Sequence, residues 1–387
     1  MRVFQTIAAT LFAIALAASA QACAQTQAQP ALQAQWDNVE RVVTIGDLEG
    51  DYEKFTDMLR TAGLIDVAGD WTGGRSHLVQ LGDIPDRGAN SRMIMDLLMR
   101  LEPQARSAGG HVHALIGNHE AMNVEGDLRY VHPGEYAAFA DARSERRRDQ
   151  FYSQTIAELR RRLPPGELPT FDAAHRAQWD AEHPPGYVEH RLAWAPTGRY
   201  GRWIATHDSV IRINDTLYLH GGLGPSFVNA QRQAMNEAVR GALRGQPVAT
   251  YPDILANQEG PLWYRGLSTN AEDAERAHLE ALLRFHGVSR IIVGHSKVTS
   301  TVLPRFEGRV LVADIGVPRG HSDPHAFVII ENGAPVTVHR GARVPINAST
   351  PEARCAYLTQ IAALDNNAGP VATLAQACAT PVAATAP

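Results

Sequence analysis

Nine polar residues stand where short apolar runs end: Asp47, Glu49, Asp83, Asp86, Arg87, Asn118, His119, His220 and His295. Carboxylates and an amide oxygen suit hard or borderline cations, and imidazoles suit zinc, manganese or iron. Two such ions about 3.5–4 Å apart can neutralise a phosphate group and generate a nucleophile. A histidine left over can protonate a leaving oxygen. The chemistry that this mixture allows is hydrolysis of a phosphate ester. Taken singly, no residue carries that reading. Gly-Asp at a strand end is a common turn, a lone histidine is more often structural, and Asp86-Arg87 alone could be a surface ion pair worth little. Their recurrence in one order along the chain points to a single site.

Each of these groups has to be positioned by the run that precedes it. Residues 42–45 lead into Gly46-Asp47, residues 77–81 into Gly82-Asp83, and residues 112–116 into Gly117-Asn118-His119-Glu120. Further on, residues 216–219 end at His220-Gly221-Gly222, 290–293 at Gly294-His295-Ser296, and 310–313 at Asp314. Phe55, Met58 and Leu59 share one helical face before a stop at Gly63, and residues 93–101 also read as a helix. Strands alternating with helices predict an α/β fold, whose ligands gather beyond the carboxyl ends of the strands. Residues 123–201 break the pattern. They are rich in Arg, Glu, Gln and Pro, with an amphipathic helix expected over 151–163, and they read as a helical insertion capping the site. From 346 to 387 the chain is small and polar with one helical patch near 356–364, which reads as a C-terminal tail. The main domain is then 37–345.

The motifs Gly46-Asp47-Leu48-Glu49-Gly50-Asp51, Gly82-Asp83-Ile84-Pro85-Asp86-Arg87-Gly88 and Gly117-Asn118-His119-Glu120 resemble the calcineurin-like metallophosphoesterase superfamily, in its phosphoprotein-phosphatase branch. His220-Gly221-Gly222-Leu223 and Gly294-His295-Ser296 continue the match in order. Asn118 to Asn123, Gly126-Asp127-Leu128-Arg129-Tyr130, Tyr200-Gly201-Arg202-Trp203 and Pro261 to Gly266 narrow it to the bacterial Shewanella-like phosphatases. The resemblance implies a β-sandwich flanked by helices and two divalent metal ions, Mn foremost, with Fe, Mg or Zn as other candidates. It implies Asp47, Glu49 and Asp83 at metal one. Asp83 would bridge to metal two, which also takes Asn118, His220 and His295. His119 would be the general acid, oriented by Asp86, while Arg87 and Arg265 hold phosphate oxygens. The nucleophile would be a hydroxide between the metals, and the substrate a phosphorylated protein, peptide or small phosphoester. One position departs: the family has His where this chain has Glu49. A third carboxylate at metal one favours oxygen-loving cations such as Mn or Mg. A phosphoanhydride or nucleotide hydrolase and a metal-binding pseudophosphatase remain alternative readings.

The 387-residue chain carries a net charge of −5, which gives no footprint for nucleic acid or an anionic membrane. Arg2, the apolar residues after it and Ala20-Gln21-Ala22 form a signal-peptide pattern, so residues 1–22 are expected to be removed on export to the periplasm or medium. Cys23 directly follows and is a candidate for lipid attachment. Residues 23–36 read as a flexible leader, and no later run is long and apolar enough to span a membrane. Of the three cysteines, Cys355 and Cys378 remain as a disulfide pair in an oxidising compartment.

Overall fold

The computed structural model describes residues 34–316 and 325–379. The signal peptide, Cys23 and most of the expected leader lie outside the described residues. The strands are β1 (Gln35–Trp36), β2 (Arg41–Ile45), β3 (His77–Gln80), β4 (His111–Ala114), β5 (Val210–Ile213), β6 (Thr216–Leu219), β7 (Arg290–Val293), β8 (Leu303–Arg305), β9 (Val310–Val312), β10 (Ala326–Glu331), β11 (Ala334–His339) and β12 (Ala342–Pro345). They form two six-stranded sheets, ordered β12-β11-β10-β2-β3-β4 and β1-β5-β6-β7-β9-β8.

Each sheet holds a block of three parallel strands, β2-β3-β4 in one and β6-β7-β9 in the other. Antiparallel partners β10 and β5 flank these blocks. The inner faces pack Val42, Val79, Leu81 and Leu115 against Ile211, Ile213, Tyr218, Ile292 and Leu311. The outer faces bury Val43, Ile45, Leu78, Leu217 and Ile291 under helices. Burial on both faces explains why the strands are near-continuous apolar runs rather than alternating ones. Helices Tyr52–Thr61 and Ser91–Ser107 make the βα crossovers of the first block.

Three parts of the chain bear on the sequence expectation, and the first and last of them differ from it. Gln35–Trp36, the end of the supposed leader, pairs in parallel with β5. Between 123 and 201 the regular elements are all helical, including Ser144–Arg162 and Ala173–Glu182. The described part of the C-terminal stretch, 346–379, is more than a tail: helices Pro351–Leu364 and Gly369–Ala379 pack with Tyr357, Leu358, Ile361 and Val371 buried. The Tyr357 hydroxyl donates to the Val302 carbonyl at 2.7 Å and meets the Thr337 hydroxyl at 2.8 Å. No helix among the described residues is long and apolar enough to cross a membrane.

Cys355 and Cys378 are joined, closing these two helices into a loop with a sequence separation of 23. A cross-link of that span stabilises by about 3 kcal/mol in the chain-entropy picture. Replacing both cysteines by serine should therefore speed hydrogen exchange across residues 351–379 while the central strands keep their protection. Unchanged exchange in the helices would show that packing alone holds them.

Candidate metal centre and phosphate site

The loops after the six parallel strands meet at one end of the sandwich. The backbones of two of them nearly touch, because a Cβ on Gly82 or Gly117 would collide with the other loop. Buried Gln80 stitches the first block: its amide donates to the carbonyls of Gly46 at 3.2 Å and Gly82 at 2.7 Å. Glu120, the third residue of helix Asn118–Glu125, does more. Its carboxylate accepts from the backbone N–H groups of Gly117 (2.7 Å), Asp83 (3.0 Å) and Ile84 (2.7 Å). One side chain thus caps the helix and ties the Asp83 loop to it.

Four candidate ligand atoms converge. His220 Nδ1–H donates to the Leu81 carbonyl at 2.9 Å, a bond from one sheet to the other. A carbonyl only accepts, so whenever this ring is neutral its lone pair is at Nε2. That nitrogen lies 3.0 Å from Asn118 Oδ1, 3.1 Å from His295 Nδ1 and 3.2 Å from Asp83 Oδ2. Asn118 turns its amide nitrogen to Met122 Sδ at 3.7 Å, which leaves the oxygen facing inward. Ligand atoms of Asp83, His220 and His295 all lie within 4.8 Å of one another. Buried lone pairs set this close repel unless a cation lies among them, and a mixed N/O set suits a borderline divalent ion. The residues expected at metal two therefore fit a metal.

Asp47 stands beside this group. Its Oδ1 accepts from the His295 backbone N–H at 3.0 Å and lies 4.0 Å from His220 Nδ1. Burial, then the charges of Asp314 and Asp83, push the Asp47 carboxyl well above the ordinary range. Burial also pushes Asp83 up, but His220 and His119 outweigh it and hold that carboxylate well down. His295 is lowered to about 2 by burial and by His220. Asp314, at the end of the β9 block, is buried and its carboxyl is raised, first by burial. It was visible as a strand-end residue but was not assigned to the site.

Glu49 is turned differently from a residue given over to metal. Its carboxylate Oε1 forms an ion pair with Arg87 Nη1. Gly50 and Gly88 bring the two loops together there, for a Cβ on Gly50 would overlap Gly88. A metal-ligand candidate and a phosphate-binding candidate thus meet each other. Arg265 is brought to the other side, where its guanidinium donates to the His295 carbonyl at 2.5 Å and the Ser296 hydroxyl at 3.2 Å.

His119 has the geometry of an oriented acid. Its Nδ1 lies 2.5 Å from Asp86 Oδ2, leaving Nε2 on the metal side, 3.8 Å from Asp83 Oδ2. Asn123, one helical turn further on, donates to the other Asp86 oxygen at 2.9 Å. The spacing of four residues places both on one helix face, a signal readable in the sequence. Burial lowers the His119 pKa, but the Asp83 charge and the Asp86 hydrogen bond and charge prevail and raise it.

The calcineurin-like phosphoesterase profile matches residues 40–298. Shewanella-like protein phosphatase 2 of Arabidopsis thaliana is 30% identical over 310 residues, covering 76% of this chain and 75% of that one. Shewanella-like protein phosphatase 1 of Plasmodium berghei is 24% identical, over 68% of this chain and 64% of its own. The crystal structure of a cold-active protein-tyrosine phosphatase from a psychrophilic Shewanella superposes with a TM-score of 0.60 at 26% identity, covering 82% of this chain and 83% of that one.

The raised pKa of His119 fixes the sign of a pH effect. An acid works only while protonated, so turnover of substrates with poor leaving groups should fall as pH rises through that pKa. Asp86→Asn removes part of what raises it and should move this alkaline limb to lower pH. The check is the pH profile of kcat on an alkyl phosphate; a limb that stays in place would remove Asp86 from this role.

Proposed function

The chain belongs to the calcineurin-like phosphoesterase family, and from that premise we propose that it is a phosphomonoesterase of phosphorylated proteins or peptides, phosphotyrosine included, with Mn as the preferred ion. The family and its phosphatase relatives make it a metal-dependent phosphatase. The observation that carries the finer reading is the pairing of a lone-pair cluster with a separately oriented acid. Such a site can neutralise a phosphate and protonate its leaving oxygen at once.

Two divalent ions, when bound, would supply charge neutralisation and an activated water. Asp83, Asn118, His220 and His295 would hold one of them, and Asp47 with Asp83 the other. The chain's own groups do the rest. Arg87 and Arg265 hold phosphate oxygens; planar guanidinium forks suit that task. His119 Nε2 delivers the proton to the leaving oxygen while Asp86, steadied by Asn123, fixes the ring through Nδ1. Glu49 Oε1 is engaged by Arg87, so a metal held by Glu49 would share its carboxylate with that ion pair.

The test is phosphopeptide hydrolysis by metal-stripped protein with single cations added back. Mn should restore most activity, and Asp83→Asn should lose both activity and bound metal. Near-normal turnover of Asp83→Asn would overturn the two-metal reading. Glu49→Ala should bind Mn more weakly; unchanged Mn affinity with an altered KM would assign Glu49 to Arg87 alone.

We also propose export, supported by the signal-peptide pattern of residues 1–22. Intact mass of protein from the native host should lack those residues and would reveal a lipid on Cys23. A chain that begins at Met1 would overturn export.

A further inference from the structure

The segment Gly126 to Tyr130 has no part in the site as described so far. It follows the His119 helix, which ends at Gly126 in a left-handed turn with φ 89°. The loop is a turn closed by Val131 N–H donating to the Leu128 carbonyl at 3.1 Å. Tyr130 is then pinned to the phosphate loop: the Arg87 backbone N–H donates to its carbonyl at 2.9 Å. Its backbone is therefore held while the residue remains 43% exposed.

The ring lies at a telling place. Its centroid is 5.2 Å from that of His119, with the planes tilted by 47°. The Arg87 guanidinium carbon is 5.2 Å from the same centroid. Val67, Met93, Leu192 and Val248 are the other large apolar side chains exposed among the described residues, and none of them is aromatic. Arg87 marks where a phosphate is held and His119 where the leaving oxygen takes its proton. The Arg129 guanidinium also lies over this ring, 6.0 Å from its centroid, so a group attached to the oxygen that His119 serves comes within reach of the part of the Tyr130 side chain left exposed between the arginines and His119. An alkyl chain offers that ring little. A phenyl ring offers an offset or edge-on aromatic contact, which is favourable beyond simple burial.

We propose that Tyr130 is a specificity-determining residue that favours aryl phosphates, phosphotyrosine above phosphoserine, by lying against the ring of the leaving group. The proposal rests on the phosphatase reading above and adds to it how this site chooses among phosphomonoesters. A phenol leaves with a pKa near 10 and needs less help from His119 than an alcohol does, so contact with Tyr130 and the leaving group's own chemistry favour the same substrate.

The experiment compares two peptides of one sequence, carrying phosphotyrosine or phosphoserine, with the Mn-loaded full chain and with Tyr130→Ala, Tyr130→Leu and Tyr130→Phe. An aromatic pair contributes about 0.5–1.5 kcal/mol, or about 2- to 13-fold. The ratio of kcat/KM for phosphotyrosine over phosphoserine should fall by about that factor in Tyr130→Ala and Tyr130→Leu, mostly through KM. Tyr130→Phe should keep it. Inhibition gives a second readout free of chemistry: phenylphosphonate should lose affinity relative to methylphosphonate in the same two variants. An unchanged ratio, or equal losses on both peptides with both phosphonates weakened alike, would overturn the proposal and leave Tyr130 a support for Arg87 and His119. Hydrolysis of neither peptide by the unaltered enzyme would overturn the phosphatase reading itself, an outcome distinct from a failure of the Tyr130 proposal alone.

Discussion

Buried lone pairs facing one another cost energy, and this protein holds four of them together at His220 Nε2, Asn118 Oδ1, His295 Nδ1 and Asp83 Oδ2. A side chain free to rotate would turn away. For three of them, His220, Asn118 and Asp83, the fold prevents this by giving the group a partner behind it, whereas His295 Nε2 is buried with no hydrogen-bond partner among the described residues. His220 is fixed by the Leu81 carbonyl of the opposite sheet, and Asp83 accepts from the His119 backbone N–H at 2.9 Å. Asp47 is fixed by the His295 backbone. These bonds run between loops and between sheets, so the site exists only when the sandwich is closed. Pre-orientation of this kind lets a cation bind without ordering its ligands first.

Backbone conformation follows the same constraint. Glu49, Asp83, Asp86, Arg87 and His295 all have positive φ. Asp and His are found in that region more often than other residues, but Glu and Arg gain nothing from it. Strain of this sort persists where the surroundings over-determine the backbone, and such residues cluster at functional sites. Here the hydrogen bonds of Leu48 and Glu49 N–H to the Asp83 carbonyl, at 3.0 and 2.9 Å, supply the restraint.

The parallel blocks were legible because double burial makes each strand a solid apolar run that ends abruptly in Gly and a polar residue. The flanks were not. β10, β11 and β12 form hairpins closed by Asn332-Gly333 and Arg340-Gly341, all four with positive φ. Asn-Gly between apolar runs is a strong hairpin signal, and it was present in the sequence. β1 has only two residues, too few for periodicity, and is held by pairing with β5. The C-terminal helices are rich in alanine, so an apolar stripe is hard to distinguish from the rest of the surface until Tyr357 and Ile361 are seen buried. At the site, residue types and order showed which groups gather, but not that Glu49 and Arg87 pair. That contact depends on two loops crossing at glycines, which is a tertiary fact. Asn123 and Glu120 could have been found from spacing alone, since each sits within one turn of His119 on a helix that begins at the site.

Charge explains why the metal side and the acid side need to be separate. Burial and mutual repulsion raise the Asp47 and Asp314 carboxyls, whereas imidazoles hold Asp83 low. Raised carboxyls keep protons until a stronger cation displaces them, so metal binding at Asp47 should be coupled to proton release and gain strength as pH rises. The proposed acid has the opposite need: as a proton donor His119 would act in its protonated form, which is lost as pH rises. One site that shared its groups between both tasks would weaken one whenever it strengthened the other. The structure divides them. The Asp86 carboxylate and the Asn123 amide serve the His119 ring, while Asp83 faces both sides, its carboxylate held low by His220 and His119 against burial.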